Sequence, residues 1–92
     1  MATRLRITGQ VQGVGYRAAF ASQAHALRLY GWVRNRQDGT VEAAVAGQAQ
    51  AILHLIAWAE HGPPGAQVHS VAVIEIDDGS VADGEFRILP TV

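Results

Sequence analysis

The chain has no cysteine and no lysine among its 92 residues. Without cysteine there is no disulfide framework and no thiolate chemistry. Without lysine there is no Schiff-base mechanism and no lysine general base. All seven basic residues are arginines, at 4, 6, 17, 28, 34, 36 and 87, a pattern that a GC-rich coding bias accounts for. Charge is sparse, and the net charge of −1 lacks the basic footprint that non-specific nucleic-acid binding needs. No apolar run approaches the length of a membrane span. The opening Met1-Ala2-Thr3-Arg4-Leu5-Arg6 lacks the apolar stretch of a signal peptide. These absences give the expectation of a cytoplasmic protein with no membrane or nucleic-acid partner.

What is present reads as a globular chain, expected to form one domain over residues 1–92. Arg4 to Thr8 alternates polar and apolar, as a half-buried strand does. Phe20, Ala24 and Leu27 recur at helical spacing and predict a helix from Arg17 to about Tyr30, with Gly31 as its stop. Gly31–Arg36 and Thr40–Ala46 predict a hairpin around Asp38-Gly39, with Val41, Ala43 and Val45 on one face. Ala49, Ile52, Leu53 and Ile56 form the stripe of a second helix over Gln48–His61, ended by Gly62-Pro63-Pro64-Gly65. Ser70–Asp77 predicts a strand, and Glu85–Leu89 a short last one with Phe86 and Ile88 facing inward. The order β-α-β-β-α-β, plus a short extra C-terminal strand, predicts a ferredoxin-like α+β fold: an antiparallel sheet with two helices on one face. That fold hosts many unrelated activities and names none.

Chemistry concentrates in Gly9-Gln10-Val11-Gln12-Gly13-Val14-Gly15-Tyr16-Arg17, between a strand and a helix. Such a glycine loop can turn its N–H groups inward beside a helix N-terminus, which is an anion cradle. Arg17 can grip two oxygens of a phosphate with its planar fork. The helix dipole disfavours a lone cation in a first turn, so an arginine there is better explained by an accompanying anion. Asn35 precedes the hairpin turn, where an asparagine commonly shapes the turn; its amide can also hold a substrate or a water. His25, His54, His61 and His69 show no close metal-ligand spacing. Asp77, Asp78 and Asp83 lack the EF-hand pattern and read as a solvated acidic turn. Trp32 and Trp58 are expected in core or helix–sheet packing, and Ser22 lacks a neighbouring His/Asp arrangement.

Residues 9–17 resemble the first acylphosphatase signature. Gly31-Trp32-Val33-Arg34-Asn35, followed by Gly39-Thr40-Val41 and Gly47, resembles the second. Gly62-Pro63-Pro64 with Ala66 and Val68 is a softer third match, and the resemblance runs from about residue 4 to residue 89. It implies a metal-free, cofactor-free hydrolase of carboxyl–phosphate mixed anhydrides. Arg17 would bind the phosphate and Asn35 would orient the attacking water. The backbone from Gln12 through Gly13, Val14, Gly15 and Tyr16 to Arg17 would cradle the phosphoryl oxygens, and Thr40 would support the surroundings of Asn35. The substrate's own phosphate would accept the water's proton. The implied partners are a small-molecule acyl phosphate and inorganic phosphate, the latter as product and competitive inhibitor, acting on a monomer. The resemblance departs at the C-terminus, where Phe86-Arg87-Ile88-Leu89-Pro90-Thr91-Val92 stands in place of a close with arginine and tyrosine. Two other readings compete. One is a non-catalytic phosphate- or anion-binding regulatory module. The other is a domain acting on carbamoyl phosphate within a larger maturation enzyme, against which the chain's length favours a free-standing protein.

Overall fold

The computed structural model describes residues 1–82 and 84–92. Five strands form one sheet: β1 (Ala2–Gln10), β2 (Tyr30–Asn35), β3 (Val41–Ala46), β4 (Gln67–Ile76) and β5 (Phe86–Ile88). Their order across the sheet is β4-β1-β3-β2-β5. All neighbours run antiparallel except β2 and β5, which are parallel, so the fifth strand makes the sheet mixed. Two helices, α1 (Tyr16–Ala26) and α2 (Ala49–Ala59), cover one face. Phe20 and Ala24 of α1 and Ile52 and Leu55 of α2 close over Leu5, Ile7, Val33, Val41 and Val45. Each large aliphatic or aromatic side chain in this layer contributes about 1.5–3 kcal/mol by leaving water. This is the ferredoxin-like α+β arrangement that the element order predicts.

Where the structure differs from the sequence pattern, tertiary contacts decide. The first helix ends at Ala26, not near Tyr30, and Arg28 takes the left-handed conformation (φ 58°). The N–H groups of Arg28 and Leu29 then donate to the carbonyls of His25 (3.0 Å) and Ala24 (2.9 Å), which closes the helix in a Schellman pattern. Gly31, expected as the stop, lies inside β2 at φ 136°, where a Cβ would collide with the Ala44 carbonyl. β4 begins at Gln67 rather than Ser70, because β1 continues to pair with it past a bulge between Thr8 and Gly9. β3 is buried on both faces: Val41, Ala43 and Val45 meet the helices, while Ala44 and Ala46 lie under Val81 with Ala2. Trp32 packs against that second cluster, so it does not lie between helix and sheet; Trp58 does. Ile88 shares the face of Phe86 but is left about half exposed where Phe86 is buried.

The topology determines what meets at one end of the sheet. β1 and β2 both run antiparallel to β3, so their carboxyl ends share an edge. Ile7, Val41 and Asn35 stand in one row across the three strands. The loop from β1 to α1 and the hairpin from β2 to β3 therefore leave the sheet side by side.

Candidate active site

The loop after β1 is anchored by Val11, which is buried in the core. Gly13 (φ 76°) and Gly15 (φ 79°) are both left-handed, and a Cβ at either would meet open space rather than protein. The demand for glycine here is therefore conformational and not one of packing. Gly15 occupies the N-cap of α1 without a side-chain cap, and the first turn holds no acidic residue. Among the described residues, no backbone N–H from Gly13 to Arg17 donates to another backbone carbonyl. Arg17, in that same turn, pairs with no described carboxylate. A helix N-terminus thus carries free donors and a cation together, an arrangement favourable only beside an anion.

Tyr16 contributes no hydroxyl to this cleft. Its ring is buried against Trp58, with centroids 5.5 Å apart, and its hydroxyl donates to the Ala59 carbonyl at 2.8 Å. Burial pushes the phenol well above its usual range. The side chain is an anchor that ties the start of α1 to the end of α2.

Across the cleft stands Asn35, at the end of β2. Its backbone is held by pairing with Val41 and by the Val92 N–H, which donates to the Asn35 carbonyl at 3.1 Å. Its amide oxygen Oδ1 is buried with no hydrogen-bond partner. An unsatisfied buried acceptor costs about 1–3 kcal/mol. A protein that retains one usually has a use for it.

Gln12 joins the two sides. Its Nε2 donates to the carbonyls of Arg36 (2.8 Å) and Thr40 (2.9 Å), so one amide ties the loop to both ends of the turn that joins β2 to β3. Thr40 touches the site through that carbonyl. Its hydroxyl and N–H both donate to Asp38 Oδ1, at 2.7 and 3.0 Å. The hydrogen bond from the hydroxyl, then that from the N–H, lowers the Asp38 carboxyl below its usual range. Behind the hairpin, on the sheet face away from the helices, Glu42 accepts from Arg34 Nε (2.9 Å) and Arg36 Nη1 (3.0 Å) and pairs with Arg4 (2.9 Å). Arg34 also lies over the Trp32 ring, 4.6 Å from its centroid.

Of the residues that the sequence singles out, Gln12, Gly13, Gly15, Tyr16, Arg17 and Asn35 line one cleft of about 190 Å³. Val14 and Thr40 are not on its wall. Val11, Ala18 and Ile88 are, and the sequence reading assigns none of them to the site. Val11 and Ala18 border the Gln12–Arg17 cradle and could have been found by extending it by one residue each way. Ile88 is some seventy residues distant in sequence, with no local signal. Among the described residues, no three His, Cys, Asp or Glu side chains converge as metal ligands. Asp77 is the N-cap and Asp78 the first residue of a single 3-10 turn, and Asp83 lies outside the described residues.

Fold and cleft together define a ferredoxin-like α+β domain with a small polar site at the start of its first helix. The acylphosphatase family model matches residues 3–88, and the chain belongs to that family. It is 53% identical over 88 residues to an acylphosphatase of Azoarcus sp. (strain BH72), covering 95% of this chain and 87% of that one. An acylphosphatase of Cupriavidus necator is 48% identical over 89 residues, covering 97% and 94%. Among solved structures, an acylphosphatase from Coxiella burnetii superposes with a TM-score of 0.88 at 36% identity, covering 96% of this chain and 90% of that chain. Full-length HypF, in a phosphate- and nucleotide-bound form, gives a TM-score of 0.87 at 27% identity, and there the match covers 98% of this chain but 12% of HypF.

Proposed function

We propose that this chain hydrolyses acyl phosphates to a carboxylate and inorganic phosphate, with the phosphoryl group held by the loop from Gln12 to Arg17 and water aimed by Asn35. The observation that carries this reading is the pairing, in one cleft, of an arginine without a carboxylate partner and a buried amide oxygen without a donor among the described residues. Two unsatisfied groups of opposite kind across a small space suit an anion on one side and a proton donor, such as water, on the other.

The chemistry needs little more. The leaving group is a carboxylate, which departs without a strong acid. Water attacks phosphorus, the bond from phosphorus to the acyl oxygen breaks, and its electron pair leaves with the carboxylate. A water proton passes to a phosphoryl oxygen. Catalysis then reduces to holding the phosphoryl group, offsetting charge on its equatorial oxygens and placing water in line. The free N–H groups and the Arg17 fork serve the first two tasks. Asn35 Oδ1 accepts a hydrogen bond from one water O–H and so turns the oxygen lone pair toward phosphorus. On this reading Gln12 holds the two halves in register, and Thr40 supports Asn35 through the carbonyl that Gln12 grips. Every group required comes from one chain, which fits a monomer. Inorganic phosphate, the product, would occupy the same cradle and inhibit competitively. A cytosolic setting accords with the absence of cysteine.

The test is hydrolysis of acetyl phosphate and benzoyl phosphate by pure, EDTA-treated protein. Turnover with competitive inhibition by phosphate is the expected result. Phosphate-dependent chemical-shift changes without turnover would favour a non-catalytic anion-binding module and overturn the reading.

A further inference from the structure

β5 places two apolar side chains on one face of the sheet, and only one of them is covered. Phe86 packs on Phe20 (5.8 Å between centroids) and His25 (6.3 Å) of α1. Ile88 stands one pleat repeat further along the same face and keeps 49% of its surface exposed. Its backbone is fixed by pairing with Val33 and by the Leu89 N–H, which donates to the Val33 carbonyl at 2.9 Å. Because β2 and β5 are parallel, Ile88 sits one strand across from Val33. It is therefore diagonal to Asn35, two residues further along β2 on the same face.

We infer that Ile88 forms the acyl-side wall of the cleft, and that the preferred substrates are acyl phosphates whose acyl group is apolar. This rests on the hydrolase reading above. The glycine loop and Arg17 serve the phosphoryl group, and Asn35 serves water, so the acyl group lies along the remaining wall. The other large apolar side chains of the cleft, Val11 and Tyr16, are each 1% exposed and offer no surface. Ile88 is the one large exposed hydrophobic side chain among the described residues that lines the cleft. Among the described residues Arg17 is the only charged side chain on the wall, so a charged acyl group would find no partner of its own there. Covering a branched aliphatic surface with an apolar acyl group removes both from water, a gain that an acetyl group is too small to realise fully.

The experiment measures kcat and KM for acetyl phosphate and benzoyl phosphate with the native chain, Ile88→Ala, Ile88→Thr and Ile88→Leu. Ile88→Ala is expected to lower kcat/KM for benzoyl phosphate roughly tenfold, mostly through KM, and to change acetyl phosphate by less than about twofold. Ile88→Thr retains a β-branched strand residue while losing the apolar tip, so it gives the same readout if the alanine variant fails to fold. Ile88→Leu should keep the native ratio between the substrates. A ratio unchanged in both Ile88→Ala and Ile88→Thr overturns the inference while leaving the hydrolase reading intact. Failure of the native chain to hydrolyse either substrate overturns the hydrolase reading itself.

Discussion

On the proposed mechanism Arg17 and Asn35 carry different loads, and substitution separates them. Arg17→Ala should abolish both phosphate binding and turnover. Arg17→Lys should fail nearly as badly, because an ammonium cannot present the planar fork that grips two oxygens. Asn35→Ala should retain phosphate affinity and lose about 10²-fold or more in kcat, the scale of removing one positioned amide. Phosphate titration by calorimetry beside steady-state kinetics checks all three, and a fully active Asn35→Ala variant removes the water-orienting role. Both residues are legible in the sequence because each lies within a contiguous motif. Two features beside them are not. The buried, unpartnered state of Asn35 Oδ1 depends on packing from other elements. The Gln12 side chain bridges to carbonyls 24 and 28 residues away, a contact no local pattern encodes.

At the scale of the element, that bridge is a clamp between the glycine loop and the hairpin. Gln12→Leu removes both donors and leaves the carbonyls of Arg36 and Thr40 without this partner. A loss of about 1–3 kcal/mol in stability is expected. A fall in kcat larger than the change in phosphate affinity should accompany it, since Asn35 would lose its register against the cradle. Equal loss of both would mark Gln12 as purely structural. The end of α1 offers the opposite test. Arg28 holds a left-handed conformation that costs a non-glycine residue about 1–2 kcal/mol, partly offset by a cation's attraction to a helix C-terminus. Arg28→Gly should therefore raise stability by about 0.5–1 kcal/mol with activity unchanged, as denaturant unfolding would report. The same element shows why the sequence misplaces the helix end. A glycine is the usual left-handed stop, and Gly31 was the nearest available, yet it is needed in β2 beneath the Ala44 carbonyl. By contrast, the order of helices and strands is readable, and β1 and β2 show why: along each, buried residues alternate with more exposed ones at the strand period. β5 is readable as a strand, but its parallel pairing with β2 and the exposure of Ile88 are long-range features that no local pattern encodes.

The whole molecule is also held from the sheet face that the helices leave open, where Glu42 is 3% exposed among Arg4, Arg34 and Arg36. Burial alone would raise the Glu42 pKa. The hydrogen bonds from Arg34 and Arg36, with the charges of Arg34 and Arg4, outweigh it and hold the carboxyl below its ordinary value of 4.5. A carboxyl more acidic folded than unfolded stabilises the native state at pH values above the unfolded pKa. That contribution is lost as pH falls through the folded value. The native chain should accordingly be stable at neutral pH and lose stability progressively below about pH 4.5, as its Tm followed across pH would show. Glu42→Gln leaves three guanidiniums facing a neutral amide. It should cost about 2 kcal/mol at pH 7, between the cost of breaking an exposed pair and that of breaking a fully buried one, because its partners are only partly buried. In a chain of this size that is a fall in Tm of roughly 8–16 °C. The variant's Tm should also fall less steeply below pH 4.5 than that of the native chain, and equal slopes would assign the acid sensitivity to other carboxylates. Because Arg36 adjoins Asn35, a second readout separates local from global effects. At a temperature where both proteins are fully folded, Glu42→Gln should keep its phosphate affinity while kcat falls a few-fold, tying the open face of the sheet to the cleft through the backbone of one strand.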